Sequence, residues 1–96
     1  MELIEYLKTE LEQNEGRIPL SMISNILNSP NTKVTHKQIT PNTRVCVITT
    51  LYGHDLVGYA QVLDAKNDVE LIGQEVAYDN AKEQLWAILG SIAKVI

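Results

Sequence analysis

The apolar positions along this chain change period twice. From Glu2 to Asn14 they recur at helical spacing (Leu3, Ile4, Leu7, Leu11), and Gly16 follows just past the end, so a helix is expected there. A second, shorter helix is expected from Leu20 to Asn28, with Leu20, Ile23, Ile26 and Leu27 inward. Pro19 suits its first turn, and Asn28-Ser29-Pro30 stops it. From Thr32 the period falls to two. Thr32 to Ile39 reads as an edge strand, Thr40-Pro41-Asn42 as a turn, and Thr43 to Leu51 as a strand rich in β-branched residues. In that strand Val45, Val47, Thr49 and Leu51 share one face, and Arg44, Cys46, Ile48 and Thr50 share the other. Tyr52-Gly53-His54-Asp55 makes a hairpin turn, and Leu56 to Leu63 returns antiparallel. Gly58 inside the return strand predicts a bulge or a close approach by another element.

The last third goes back to a helical period, as one long helix from Asn67 to Ile96. Its start signal is a capping box, with Asn67 accepting from the Glu70 amide and the Glu70 side chain reaching back. At about 100° per residue, Val69, Gly73, Val76, Ala77, Ala81, Leu85, Ile88, Leu89, Ile92 and Val95 fall on one broad face. Glu75, Asp79, Lys82, Glu83 and Trp86 fall on the other. The expected fold is α+β: two short N-terminal helices, a small antiparallel β-meander, and one long C-terminal helix packed on the sheet. It is expected as one domain over residues 1–96, with a helical segment at 1–30 and the hairpin plus long helix at 31–96.

Gly73, Ala77 and Ala81 recur every fourth residue and form a strip of small side chains. Such a strip lets another backbone approach closely, either the protein's own sheet or a second subunit. Asn80 and Gln84 lie near its centre, where buried amides need hydrogen-bond partners. Trp86 is a large aromatic on the polar face, suited to the N-terminal helices or to an interface. Gly73, Ala77, Asn80, Ala81 and Trp86 are therefore the candidate interface residues of a homo-oligomer.

Composition adds little until charge is read by position. Residues 1–15 carry five glutamates and Lys8; residues 16–54 carry no acid but Arg17, Lys33, Lys37, Arg44 and both histidines; residues 55–96 carry seven acids and three lysines. The acid-free middle makes Lys33, His36, Lys37 and Arg44 a candidate anion-binding patch, or else a partner for the acidic helices. Phosphate attraction dominates affinity for DNA, and the first helix is acidic while the second has no basic residue. A helix-turn-helix reading is thereby disfavoured. One cysteine, Cys46, excludes an intramolecular disulfide and a cysteine-based zinc site, and fits a reducing compartment. No basic leader and no apolar run near ~18 residues is present, so no signal peptide or membrane span is expected.

An enzyme needs a constellation, and none assembles. His36 and His54 are isolated from metal-ligand spacing, and Cys46 sits mid-strand between valines. No GxGxxG, GxxxxGK[ST] or GxSxG motif occurs. No catalytic residue, metal or cofactor is expected.

Two stretches resemble a known family. They are the hairpin Thr43-Arg44-Val45-Cys46-Val47-Ile48-Thr49 with Gly58 on its return strand, and the helix Gly73-x-x-Val76-Ala77-Tyr78-x-Asn80-Ala81-x-x-x-Leu85-Trp86-x-x-x-Gly90. Over roughly residues 39–93 the chain resembles the short phage proteins known by their gene 49 and gene 66 members from tailed bacteriophages. The family usually carries Asn-Gly at the hairpin tip, where this chain has Gly53-His54, and often Gly-Tyr-Leu near the end, where it has Gly90-Ser91-Ile92. The first departure changes turn chemistry. The resemblance implies a phage or prophage origin and action in the host cytoplasm, and supplies no catalytic residues. The expected function is a non-enzymatic accessory protein that sequesters a host nucleotide signal or masks a host defence protein. The alternative is a DNA-associated regulatory protein using the N-terminal helices.

Overall fold

A computed structural model of the chain describes residues 2–61 and 70–96. The elements run α1 (Leu3–Gln13), α2 (Leu20–Leu27), β1 (Lys33–Thr40), β2 (Thr43–Thr49), β3 (Asp55–Gln61) and α3 (Glu70–Ala93). This is the expected α+β order. The proposed Asn67 cap, Val69, and the end of the return strand at Val62 and Leu63 lie outside the described residues.

The three strands form one antiparallel sheet in the order β1-β2-β3. Register decides which face each side chain occupies, because directly opposite residues share a face. Cys46 lies between His36 and Gly58, Ile48 between Val34 and Leu56, and Arg44 between Gln38 and Ala60. Cys46, Ile48, Leu56 and Ala60 on that face are buried with Leu7, Met22, Ile23, Ile26, Ala77, Ala81, Leu85 and Leu89 of the helices. The helices therefore cover one side of the sheet. On the other side Val45 lies between Lys37 and Tyr59, Val47 between Thr35 and Val57, and Thr49 between Lys33 and Asp55.

Gly58 is where α3 comes closest. A Cβ at this position would run into the Ala77 carbonyl and the Ala81 amide. So the strip of Gly73, Ala77 and Ala81 is buried, and Ala77 and Ala81 lie against the protein's own sheet. Thr50, a buried threonine, organises the β2–β3 connection: its amide donates to the His54 carbonyl at 2.9 Å, and its hydroxyl oxygen accepts from the Tyr52 and His54 amides. Gly53 closes the turn at φ +85°, a conformation that costs glycine little.

Four inward assignments are corrected. Leu20 is 66% exposed, and Met22 takes its place in the core. Leu20 is the first residue of α2, a quarter-turn off the face set by Met22, Ile23, Ile26 and Leu27. Ile4 is about half exposed, because α1 buries the narrower line of Leu3 and Leu7. Val76 and Val95 are exposed; at Val76 the reason is that α3 buries a residue at every fourth position (Gly73, Ala77, Ala81, Leu85, Leu89) instead of a broad stripe. A line of that spacing winds slowly around the helix. Val95 lies beyond the helix altogether.

Candidate functional site

The four candidate cations do not form one cluster. Strand alternation puts His36 and Arg44 on the helix side of the sheet, and Lys33 and Lys37 on the open side. His36, Lys37 and Arg44 nevertheless line one shallow depression of about 120 Å³ at the distal end of the β1–β2 hairpin, together with Gln38, Glu70 and Gln74. Lys33 is not part of it. The β1–β2 register carries His36 and Gln38 along one side, and the first turns of α3 bring Glu70 and Gln74 over Arg44.

Arg44 is the most enclosed cation there, its side chain only 14% exposed, and its Nη1 lies 4.0 Å from Glu70 Oε1. Glu70 is 69% exposed and also accepts from Gln74 Nε2 at 3.4 Å. A contact this long between a sheltered guanidinium and a solvated carboxylate contributes about 0–1 kcal/mol. The arrangement is a sheltered forked donor beside an exposed carboxylate. Gln38, Glu70 and Gln74 are not legible as site residues in the sequence, since only the register and the path of α3 bring them to Arg44.

Asn80 and Gln84 of α3 have a different role from a helix seam. Asn80 Nδ2 donates to the Tyr59 carbonyl at 2.7 Å, and the Val57 amide donates to Gln84 Oε1 at 2.8 Å. Both bonds fall on the outer edge of β3. Asn80 and Gln84 are thus solvent-exposed hooks over a strand edge, and not the buried amides that helical periodicity suggests. Trp86 is 37% exposed, outside the core.

Cys46 is fully buried, and burial pushes its thiol above the ordinary range, the reverse of what a nucleophile needs. Tyr78 is also raised, first by burial and then by Cys46 and Asp79. His54 lines a second, more apolar hollow of about 270 Å³ with Glu2, Leu3, Ile4, Tyr52 and Ile92, far along the sheet from His36. Among the described residues no group of three or more His, Cys, Asp or Glu side chains is placed to hold a metal, and no helix is long and apolar enough to cross a membrane.

No curated protein and no solved structure matches the chain. Among protein families, the match spans residues 12–95, so it extends to α2 as well as the hairpin and α3, further toward the N-terminus than the motifs alone suggest. The chain belongs to the phage protein (N4 Gp49/phage Sf6 gene 66) family.

Proposed function

We propose that this phage protein is a non-enzymatic binder that acts in the host cytoplasm against defence, sequestering a nucleotide immune signal. The observation that carries the reading is the depression at Arg44. A sheltered guanidinium, flanked by His36 and Lys37, faces a displaceable carboxylate. A phosphate takes the place of Glu70 at Arg44 through charge-assisted bonds, while Gln38 and Gln74 offer amide donors and acceptors to the rest of the ligand. Stoichiometric capture asks for no catalytic group, and the proposed reading uses none. The DNA-associated alternative has less support, because α2 carries no basic residue and α1 carries three glutamates and one lysine.

The test is retention. Purified protein is mixed with a nucleotide extract of infected host cells and desalted, and bound ligand is released by heat and identified by mass spectrometry. The wild type retains a nucleotide, Arg44→Ala loses it, Glu70→Gln retains more, and Lys33→Ala behaves as wild type. If the wild type at about 100 μM retains nothing through desalting, it lacks the tight binding, micromolar or better, that sequestration needs, and nucleotide capture is wrong. Masking of a host defence protein through Trp86, an exposed aromatic of the kind that anchors interfaces, then becomes the better reading.

A further inference from the structure

One edge of the sheet is hooked by side chains of α3 and the other is open among the described residues. Along β3, Asn80 and Gln84 occupy the outward Tyr59 carbonyl and Val57 amide. Along β1 all eight residues are exposed, and among the described residues no helix side chain reaches over to bond its backbone as Asn80 and Gln84 do on β3. A long unpaired edge is a template for another strand. The molecule is also drawn out, 49 × 23 × 20 Å, with a radius of gyration of 15.4 Å. A compact chain of this length would have roughly 12–13 Å.

We propose that β1 pairs antiparallel with β1 of a second copy, about a two-fold axis through His36 and perpendicular to the sheet. Strand overlap and the lysines together select this register: among residue-centred registers only His36 and Lys37 pair seven residues of β1, and only His36 does so without opposing two lysines. Centring on Thr35 would set Lys33 against Lys37 of the second copy, and centring on Lys37 would set that lysine against itself. Like charges directly opposite are unfavourable. Centring on His36 sets Lys37 against Thr35, Lys33 against Ile39, and Val34 against Gln38, with no like-charged lysine pair. The occupant is a second copy because the contact closes on itself: each chain has one open edge, the other being hooked by α3, so pairing stops at two chains.

The dimer has a groove. α3 packs mainly on β2 and β3, and all eight residues of β1 stay exposed, with only the first turns of α3 near its Gln38 end. Two exposed strands become neighbours, with Val34, His36 and Gln38 of each copy as the floor and Arg44 of each copy at the margins. From β2 to β2 of the second copy is three strand spacings, about 14 Å. Each depression of about 120 Å³ takes a phosphate-sized group, and small-molecule pockets run to about 300 Å³ or more. Two depressions give about 240 Å³, and the floor between them has to supply the remainder. This groove as a nucleotide site rests on the function proposed above; the strand pairing does not.

The experiment is sedimentation of the full chain, followed by mild oxidation of His36→Cys and, separately, Val34→Cys. Opposite residues in an antiparallel pair have Cα atoms about 4.5–5.5 Å apart, within disulfide range. The wild type is expected at twice the 10.7 kDa chain mass. His36→Cys should cross-link nearly completely. Val34→Cys should stay uncross-linked, because the two copies of that position lie about 13 Å apart along the strands. Both variants are made in a Cys46→Ala background, because Cys46 lies directly opposite position 36 on β2 and would compete by an intramolecular disulfide. A monomeric wild type, or a dimer that cross-links through Val34→Cys and not through His36→Cys, overturns the proposal. A dimer cross-linked at position 36 that retains no nucleotide upholds the pairing and removes only the ligand assigned to the groove.

Discussion

Replacing Gly58 by alanine adds one methyl group at the point where α3 lies closest to the sheet. The atoms it meets are the Ala77 carbonyl and the Ala81 amide, with Ala81 Cα at 3.0 Å. These are helix backbone and have no rotamer to change, so the helix itself must lift. Overpacking a tight contact costs about 1–3 kcal/mol, and rigid backbone on the receiving side puts this case near 3. Lifting also stretches the Asn80–Tyr59 and Gln84–Val57 bonds, which flank Gly58 on either side. A chain of this size has roughly 5–14 kcal/mol to lose, and about 3 kcal/mol lowers Tm by about 12–24 °C. The paired control is Gly90→Ala. No atom lies within 4 Å of the Cβ it adds, and Gly90 is inside α3, so alanine should raise stability by about 0.5–1 kcal/mol. Both variants are to be followed by urea and thermal melts of the helix circular dichroism at one fixed chain concentration, because association would shift Tm. A Gly58→Ala protein within about 1 kcal/mol of wild type would show that the close approach of α3 is not what Gly58 is for.

Removing either hook should act locally. Gln84→Ala and Asn80→Ala are each expected to lower stability by about 0.5–1.5 kcal/mol in urea melts, and Gln84→Ala should speed hydrogen exchange at the Val57 amide, its donor. High pH should also destabilise the fold. Burial raises Cys46 and, as the first cause, Tyr78 and Tyr52, so each holds its proton in the folded chain at a pH where the unfolded chain has lost it. The stability these groups contribute is complete below the ordinary thiol pKa of about 8.5 and falls as pH rises through the folded values. Tm should decline from about pH 9 upward, and Cys46→Ala should remove the first part of that decline; a Tm flat to pH 11, beyond the ordinary tyrosine pKa of about 10, would count against the buried assignments.

Much of the architecture follows from local pattern. A helical period, then a period of two bounded by Pro41-Asn42 and Gly53-His54, then a helical period again can be satisfied only by helices, a meander and a long helix. The Cys46–Ile48–Thr50 face is legible because alternation in a strand is strict. Gly58 is legible as a close approach because a glycine amid strand-forming neighbours sacrifices backbone order and side-chain packing, and room for another backbone is what it gains. Helical faces are less secure. Leu20 and Val76 satisfy the period yet lie outside the core, since rotating a helix by a fraction of a turn exchanges one apolar residue for another at small local cost.

What the sequence determined by itself was therefore the element order, the division of β2 into two faces, and the grouping of cations in the acid-free middle of the chain. Only the tertiary structure decided how those cations are divided: pairing in β1 and β2 sends Lys33 to one side and Arg44 to the other, and α3 returns Glu70 to Arg44 from a distant part of the chain. It likewise turned Asn80 and Gln84 from candidate seam residues into caps on β3 and left β1 as the open edge. The physical reason is range. Periodicity and turn chemistry act over a few residues and are written in consecutive positions. Register, helix rotation and edge protection are set by contacts between segments far apart in the chain, whose relative placement no local pattern specifies.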